Sequence, residues 1–245
     1  MIIAPAIPRN RAWLIVATLI VALAVDVRTD IVGQTIVSGV VWLILLVVLS
    51  GIEPRVRVGL MACLVIATMG EIFLSLVWGL YTYRLGNIPA FVPPGHVLLF
   101  LLELFLSDRL SDAAACVVIA AAGFYAFVAA VVGADTLAVP MFAVLVFASF
   151  LMPAQRRLYA TTFLVSLALE LYGTWLGNWT WMREVPAVGL VTTNPPGVAG
   201  ALYSTLDALV AAVTIFALPR LTAGHLHGND LRGGPERVSA RSTAP

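Results

Sequence analysis

Lysine is missing from this chain of 245 residues, and all 14 basic residues are arginines. A retinal Schiff base needs a lysine amine, so a rhodopsin-type chromophore is excluded. Of three histidines, only His96 lies within an apolar segment, which argues against a haem or a multi-histidine metal site. The two cysteines, Cys63 and Cys116, fall in apolar segments and indicate neither a disulfide nor a metal centre. We therefore expect no cofactor and no bound metal.

Nucleotide-binding and hydrolase motifs are missing as well. The sequence contains no P-loop, no GxGxxG after a strand, no HExxH, no CxxC and no GxSxG. It also lacks a basic patch, so we expect no nucleic-acid partner. Charged residues make up only 11% of the chain, against about 25% in soluble domains. This scarcity of charge indicates that the solvent of the protein is a lipid bilayer.

Long apolar runs are what the sequence does contain, with 61% hydrophobic residues and a mean hydropathy of +0.99. A helix needs roughly 20 apolar residues to cross the hydrocarbon core, and the runs are continuous rather than alternating, which disfavours a strand barrel. The sequence predicts an all-α, polytopic transmembrane bundle of about eight spans: 12–27, 31–51, 58–82, 91–107, 113–134, 136–153, 158–181 and 197–218.

The arginines are distributed unevenly over the predicted loops. Eleven fall on one side of the eight-span arrangement, and three, Arg28, Arg84 and Arg183, fall on the other. Basic residues concentrate in cytoplasmic loops. We therefore expect a multi-pass protein of the cell membrane with both termini in the cytoplasm.

The two ends of the chain carry separate predictions. The first apolar window has a basic start and a small-residue site, Ala22-Leu23-Ala24, as signal peptides do. We favour an uncleaved first span because a second follows at once, and cleavage would leave seven spans. Residues 1–221 are predicted to form the transmembrane domain, and the polar segment 222–245 is predicted to be a disordered cytoplasmic tail.

A pattern in the third and fourth windows recurs in the seventh and eighth. The segments 70–96 and 169–197 each contain a central glutamate, a glycine within an aromatic cluster, one arginine, a proline-containing loop and then Pro-Pro-Gly. Corresponding spans of the two copies are four spans apart, an even number, so both copies cross the bilayer in the same direction. The sequence predicts two parallel four-helix repeats, about 12–110 and 113–221.

Four acidic residues interrupt the membrane-length segments: Glu71, Glu103, Glu170 and Asp207. An acid at the bilayer centre costs on the order of 2.5–3.5 kcal/mol and marks a functional site by default. The alternative is that these acids join helices through hydrogen bonds of about 0.6 kcal/mol each. Glu103 lies near a helix end, where it could equally extend to the interface. We predict catalytic roles for Glu71, Glu170 and Asp207.

Other polar and aromatic residues are predicted to bind a substrate. They share helix faces with the acids or cluster at the same end of the spans, where interfacial anchoring accounts for about half of the aromatic residues. The predicted binding residues are Trp78, Tyr81, His96, Thr174, Trp175, Asn178, Trp179, Trp181, Asn194 and Tyr203.

The segment 70–96 resembles the integral-membrane carotenoid-biosynthesis proteins of the bisanhydrobacterioruberin hydratase type. Those proteins carry a helical glutamate followed by Gly-x-Tyr-x-Tyr, a Leu-Gly step and a Val-Pro segment. The resemblance implies addition of water to an isoprenoid double bond. The segments Pro-Pro-Gly-His and Asn-Pro-Pro-Gly depart from the family pattern. The matching residues here are Glu71, Gly79, Tyr81, Tyr83, Leu85-Gly86 and Pro89.

Three functions follow from these observations. The first is an enzyme that protonates a double bond of an isoprenoid, a carotenoid or another membrane lipid, leading to hydration or cyclisation. The second is a proton-coupled transporter of a small molecule or lipid, because internal repeats with midplane acids are typical of such proteins. The third is a non-catalytic membrane scaffold. The sequence leaves the oligomeric state open.

Overall fold

The computed structural model describes residues 7–213, and this part of the chain is mostly helical. The predicted tail, 222–245, lies outside the described residues. Eight α-helices follow one another along the described chain: α1 (Arg9–Asp26), α2 (Ile31–Ser50), α3 (Pro54–Glu71), α4 (Val92–Ser107), α5 (Asp112–Val131), α6 (Ala138–Leu151), α7 (Arg156–Leu176) and α8 (Gly200–Ala212).

Local sequence explains where two helices begin. The Asp30 side chain accepts hydrogen bonds from the backbone N–H groups of Val32 and Gly33, at 3.1 and 3.0 Å, and so caps α2. Ser111 caps α5 in the same way by accepting the N–H of Ala114 at 3.1 Å. These caps satisfy N–H groups that have no partner within the first turn of a helix.

The structure departs from an all-helical chain at the ends of the third and seventh windows. After α3, six residues form a π-helix, Ile72–Val77, and the chain then forms a short strand, β1 (Tyr81–Tyr83). After α7 it forms a second strand, β2 (Trp179–Trp181). Gly79 and Gly177 precede these strands with φ angles of 73° and 88°. Such angles end a helix, and glycine adopts them without a steric penalty.

The helices are suited to a membrane. Three stretches are long and apolar enough to cross one, Ile31–Ser50, Val56–Val77 and Asp112–Val131, and a fourth is reached if α6 and α7 count as one span bent by 111°. Large apolar side chains cover the outside; Phe124 is 71% exposed and Phe150 is 79% exposed. Soluble monomers rarely expose such extensive apolar surface. These features indicate a membrane protein.

Four helices surround the centre of the molecule. α3 packs against α4 and α8, and α7 packs against the same two helices, so α3, α4, α7 and α8 form a ring. Outside the ring, α1 and α2 pack against α4, whereas α5 packs against α7 and α6 packs against α8. The ring brings together helices from both halves of the chain, and it carries all four acids of the apolar windows.

Two arginines fix the loops beside the strands. Arg84, which follows β1, donates a hydrogen bond to the carbonyl of Thr29 in the α1–α2 loop at 2.7 Å and lies 3.9 Å from the buried carboxylate of Asp26. Arg183, which follows β2, donates to the carbonyl of Ala134 in the α5–α6 loop at 2.8 Å. Each strand is thereby attached to the first loop of its own half.

Candidate functional site

The two strands pair with each other across the halves of the chain. They are antiparallel, with Tyr81 opposite Trp181 and Tyr83 opposite Trp179. Side chains alternate between the faces of a strand, so these four rings point to one side, where each is at most 8% exposed. This aromatic strand pair covers the ends of α3 and α7, directly beside Glu71 and Glu170.

Glu71 lies on α3, is 6% exposed, and is surrounded by hydrogen-bonding groups. Its Oε2 atom accepts the hydroxyl groups of Tyr81 and Tyr83, at 2.8 and 2.7 Å. Its Oε1 atom lies 2.9 Å from Nε2 of His96 on α4. Burial, and after it the negative charge of Glu71, raises the pKa of the Tyr83 hydroxyl well above its usual value. That hydroxyl therefore remains a donor at physiological pH.

Glu170 lies on α7, is 4% exposed, and has the same number of partners. Its Oε2 atom accepts the indole N–H groups of Trp179 and Trp181, at 2.7 and 3.0 Å. Its Oε1 atom is 2.7 Å from the hydroxyl of Tyr203 on α8. Each carboxyl group is thus held by two rings of the strand that follows its own helix and by one ring of the next helix.

His96 on α4 and Tyr203 on α8, which are bonded to Glu71 and Glu170 respectively, also contact each other. The rings of His96 and Tyr203 stack at a centroid distance of 5.3 Å, with an angle of 25° between their planes. The environments of the two acids differ chemically. Glu71 faces an imidazole, which can carry a proton as a cation, whereas the groups bonded to Glu170 are two indoles and a phenol.

Two hollows meet at this cluster, and five residues line both of them: Glu71, Tyr81, His96, Glu170 and Tyr203. The α1 hollow has a cavity volume of about 60 Å³ and is also lined by Thr18, Leu19, Ala22, Leu23, Val41, Tyr83, Phe91, Val92, Gly95, Leu99, Leu169 and Trp179. The α3–α8 hollow has a cavity volume of about 20 Å³ and is also lined by Gly70, Leu74, Trp181, Leu202 and Leu206.

The other two acids form a second layer within the ring. Asp207 on α8 is 4% exposed and accepts the hydroxyl of Thr162 at 2.5 Å. Glu103 on α4 is 2% exposed and accepts the hydroxyl of Ser166 at 2.9 Å, so it does not extend to the interface. Thr162 and Ser166 are one turn apart on α7. Asp207, predicted to be catalytic, lines neither hollow, because it lies one turn beyond Tyr203.

Five predicted binding residues line neither hollow, and their contacts explain why. Trp78 donates to the carbonyl of Pro186 at 2.8 Å, and Thr174 donates to the carbonyl of Glu170 at 2.7 Å. Asn178 donates to the Asp26 carboxylate at 2.9 Å. The other two are Asn194, whose side chain accepts the N–H of Trp181 at 2.9 Å, and Trp175, which is 79% exposed on the outer surface.

Sequence reasoning left out several residues that contact the site. Tyr83 is absent from the predicted binding set, although it follows Tyr81 by two residues and so lies on the same face of β1. The residues of α1 that line the α1 hollow were also left out, because none of them carries a charge that would mark a site within an apolar segment. The Thr18 hydroxyl donates to the Leu14 carbonyl at 2.7 Å, so its hydrogen is already bonded within α1.

Within residues 7–213, no group of three or more His, Cys, Asp and Glu side chains is arranged to hold a metal ion. Comparison of the whole chain with protein-family models, with curated proteins and with solved structures finds no match. The geometry of the site therefore carries the functional argument.

Proposed function

We propose that this protein is a multi-pass membrane enzyme that protonates a double bond of an isoprenoid, a carotenoid or a similar lipid. The observation that carries the proposal is the pair of buried carboxyl groups, Glu71 and Glu170, lining the same two hollows beneath a layer of aromatic rings. Acid–base chemistry on an apolar substrate needs this combination of two proton-transferring groups and a site that excludes bulk water.

Hydrogen bonding distinguishes the roles of the two acids. Indole N–H groups only donate, so Oε2 of Glu170 is always an acceptor, and an exchangeable proton belongs on Oε1. With the proton on Oε1, Glu170 donates a hydrogen bond to the Tyr203 oxygen, which a phenol can accept because it both donates and accepts. We assign Glu170 as the proton donor. Glu71 with His96 is the proton acceptor, because the imidazole can take up a proton beside the carboxylate.

In the first step, the Oε1 proton of Glu170 is transferred to one alkene carbon, and the neighbouring carbon becomes a carbocation. The faces of Tyr81, Tyr83 and the two strand tryptophans would stabilise this cation by about 2 kcal/mol each when desolvated. In hydration, a water oxygen bonds to the cation and its proton passes to Glu71 and His96. In cyclisation, a second double bond attacks the cation, and a proton is lost to the same pair.

Proton return to Glu170 completes the cycle, so neither reaction consumes an acid or needs an oxidant. The resemblance of residues 70–96 to carotenoid hydratases favours hydration over cyclisation. Asp207, for which the sequence predicts a catalytic role, takes no step in this proposal, because it lines neither hollow.

The decisive experiment compares lipids and pigments from a deletion strain complemented with wild-type, Glu71→Gln or Glu170→Gln genes. We expect a lipid product that the wild type restores and that neither variant restores. Trp175→Phe, on the outer surface, is the matched control and should restore it. Unchanged lipid profiles in both glutamine variants, with normal amounts of folded protein, would exclude the enzyme. Movement of an unmodified solute driven by a proton gradient would instead establish the transporter, and effects on stability alone would establish the scaffold.

We also propose that all eight helices span the cell membrane, that the two halves are parallel repeats, and that both termini are cytoplasmic. Support comes from the eight predicted windows, each of which overlaps one α-helix of the described chain, and from the arginine asymmetry. The matching roles of Arg84 and Arg183 and of the two glutamates support the repeat. Reporter domains fused at successive loops test it; the loops should alternate in sidedness, starting with a cytoplasmic N-terminus.

A further inference from the structure

Helix α1 lies beside the site, whereas the helix at the corresponding position in the second half does not. It packs against α4 and α7, and four of its residues, Thr18, Leu19, Ala22 and Leu23, line the α1 hollow. Its counterpart in the second half, α5, packs against α6 and α7, and no residue of α5 lines either hollow. Both halves therefore contribute residues to the larger hollow, but only the first half contributes its first helix.

The α1 hollow has a polar end and an apolar end. Its polar groups belong to the cluster around the two carboxyl groups, where they are bonded to one another. The remainder is lined by aliphatic and aromatic side chains of α1, α2, α4 and α7. No arginine is among the residues that line the two hollows, and the chain contains no lysine.

A ligand with an anionic headgroup would place that group beside two acids without a fixed cation, which is unfavourable for binding. The hollow is suited to an uncharged chain.

Leu19 of α1 and Gly95 of α4 lie close to each other in the lining of this space. A Cβ atom on Gly95 would lie 4.0 Å from Cδ2 of Leu19, which is ordinary van der Waals contact. The glycine therefore leaves a gap between α4 and α1 that a larger side chain would fill. Gly95 is also one residue before His96, so the gap adjoins the reacting groups.

We propose that the α1 hollow binds one end of an uncharged linear chain and that Leu19 and Gly95 determine how much of the chain is admitted beyond the carboxyl groups. The inference rests on the proposed function for the identity of the reaction, but it concerns binding and selection by α1. Gly95→Val introduces a larger side chain, which shortens the space in the α1 hollow that is open to the chain. Leu19→Ala removes part of a side chain and lengthens that space. The two variants should change chain-length preference in opposite directions.

Photoaffinity labelling of the full-length protein in lipid nanodiscs tests this proposal without requiring turnover. The probes are geranyl and geranylgeranyl hydrocarbons with a diazirine at one end, and geranylgeranyl diphosphate with the same diazirine. Labelled residues are identified by mass spectrometry. In the wild type, the geranylgeranyl hydrocarbon should label residues 18–23 of α1, and the diphosphate should label them about tenfold less, which corresponds to about 1.4 kcal/mol of binding free energy.

Labelling of the two variants by the long and the short hydrocarbon probes tests the chain-length preference. Gly95→Val should reduce labelling of α1 by the long hydrocarbon about tenfold while geranyl labelling persists, and Leu19→Ala should raise the ratio of long to short probe. Gly39→Val is the control, because Gly39 is on α2 with open space around it. The proposal is overturned if both variants label like the wild type, or if the diphosphate labels α1 as strongly as the hydrocarbon.

Labelling and lipid analysis separate the two proposals. Selective labelling of α1 together with unchanged lipids in the glutamine variants would retain this binding site and reject the proposed reaction. Altered lipids without selective labelling would retain the reaction and reject the role of α1.

Discussion

Replacement of Trp179 by phenylalanine tests whether Glu170 carries a proton in the resting protein, as its role as proton donor requires. The change keeps an aromatic ring and removes the N–H that donates to Oε2 of Glu170 over 2.7 Å. A hydrogen bond between neutral groups contributes about 0.5–1.5 kcal/mol, and one to a charged group about 1.5–3 kcal/mol. Because the proposed donor is neutral, we expect loss of this hydrogen bond to lower the free energy of unfolding by about 1 kcal/mol, in addition to the cost of the cavity that the smaller ring leaves beside Gly173.

The measurement is reversible unfolding in mixed micelles with increasing dodecyl sulfate, carried out in the wild-type and Glu170→Gln backgrounds. Glutamine keeps a neutral carbonyl oxygen that can accept the indole N–H. If Glu170 is a neutral acid, Trp179→Phe costs the same in both backgrounds, and the coupling energy is below about 0.5 kcal/mol. Trp175→Phe, at a position 79% exposed, should change stability by less than about 0.5 kcal/mol.

A cost of Trp179→Phe that is smaller by more than about 1 kcal/mol in the glutamine background would identify Glu170 as a carboxylate. That result would refute its assignment as the proton donor. The opposite assignment, with Glu71 as donor, would then become the one to test.

Three further predictions follow from the packing of the ring. Gly173→Ala should destabilise the protein by about 1–3 kcal/mol in the same unfolding assay, because its Cβ would collide with the Trp179 ring; Gly39→Ala, in open space on α2, should be neutral or slightly stabilising. Thr162→Val should cost about 1–3 kcal/mol, because it leaves the buried Asp207 oxygen without its hydroxyl donor; restoration by serine at this position would identify the hydroxyl as the cause. If β1 and β2 tie the two halves together, amide hydrogen exchange in the strands should be as slow as in the ring helices, and rapid exchange there would contradict a rigid cover over the site.

Sequence reasoning succeeded where the signal was local or repeated. Apolar runs predicted the positions of the helices, because a segment without charge and of sufficient length must satisfy its backbone groups internally. Glu71 and Glu170 were singled out by their recurrence in similar surroundings, and the structure places both beside the same hollows. The strands escaped prediction, because three-residue segments at the ends of apolar runs carry no period that distinguishes them from a last helical turn.

The sequence by itself determined the helical framework, the scarcity of charge and the pairing of a glutamate with a following aromatic cluster in each half. Only the tertiary structure decided which aromatic residues face the acids. Trp175 and Trp179 are four residues apart, yet one is 79% exposed and the other is buried, because the chain reverses at Gly177 between them. The tertiary structure also decided that α1 lines the site and that Asp207 does not. These contacts join segments far apart in the chain, and their formation depends on how helices pack rather than on any local pattern.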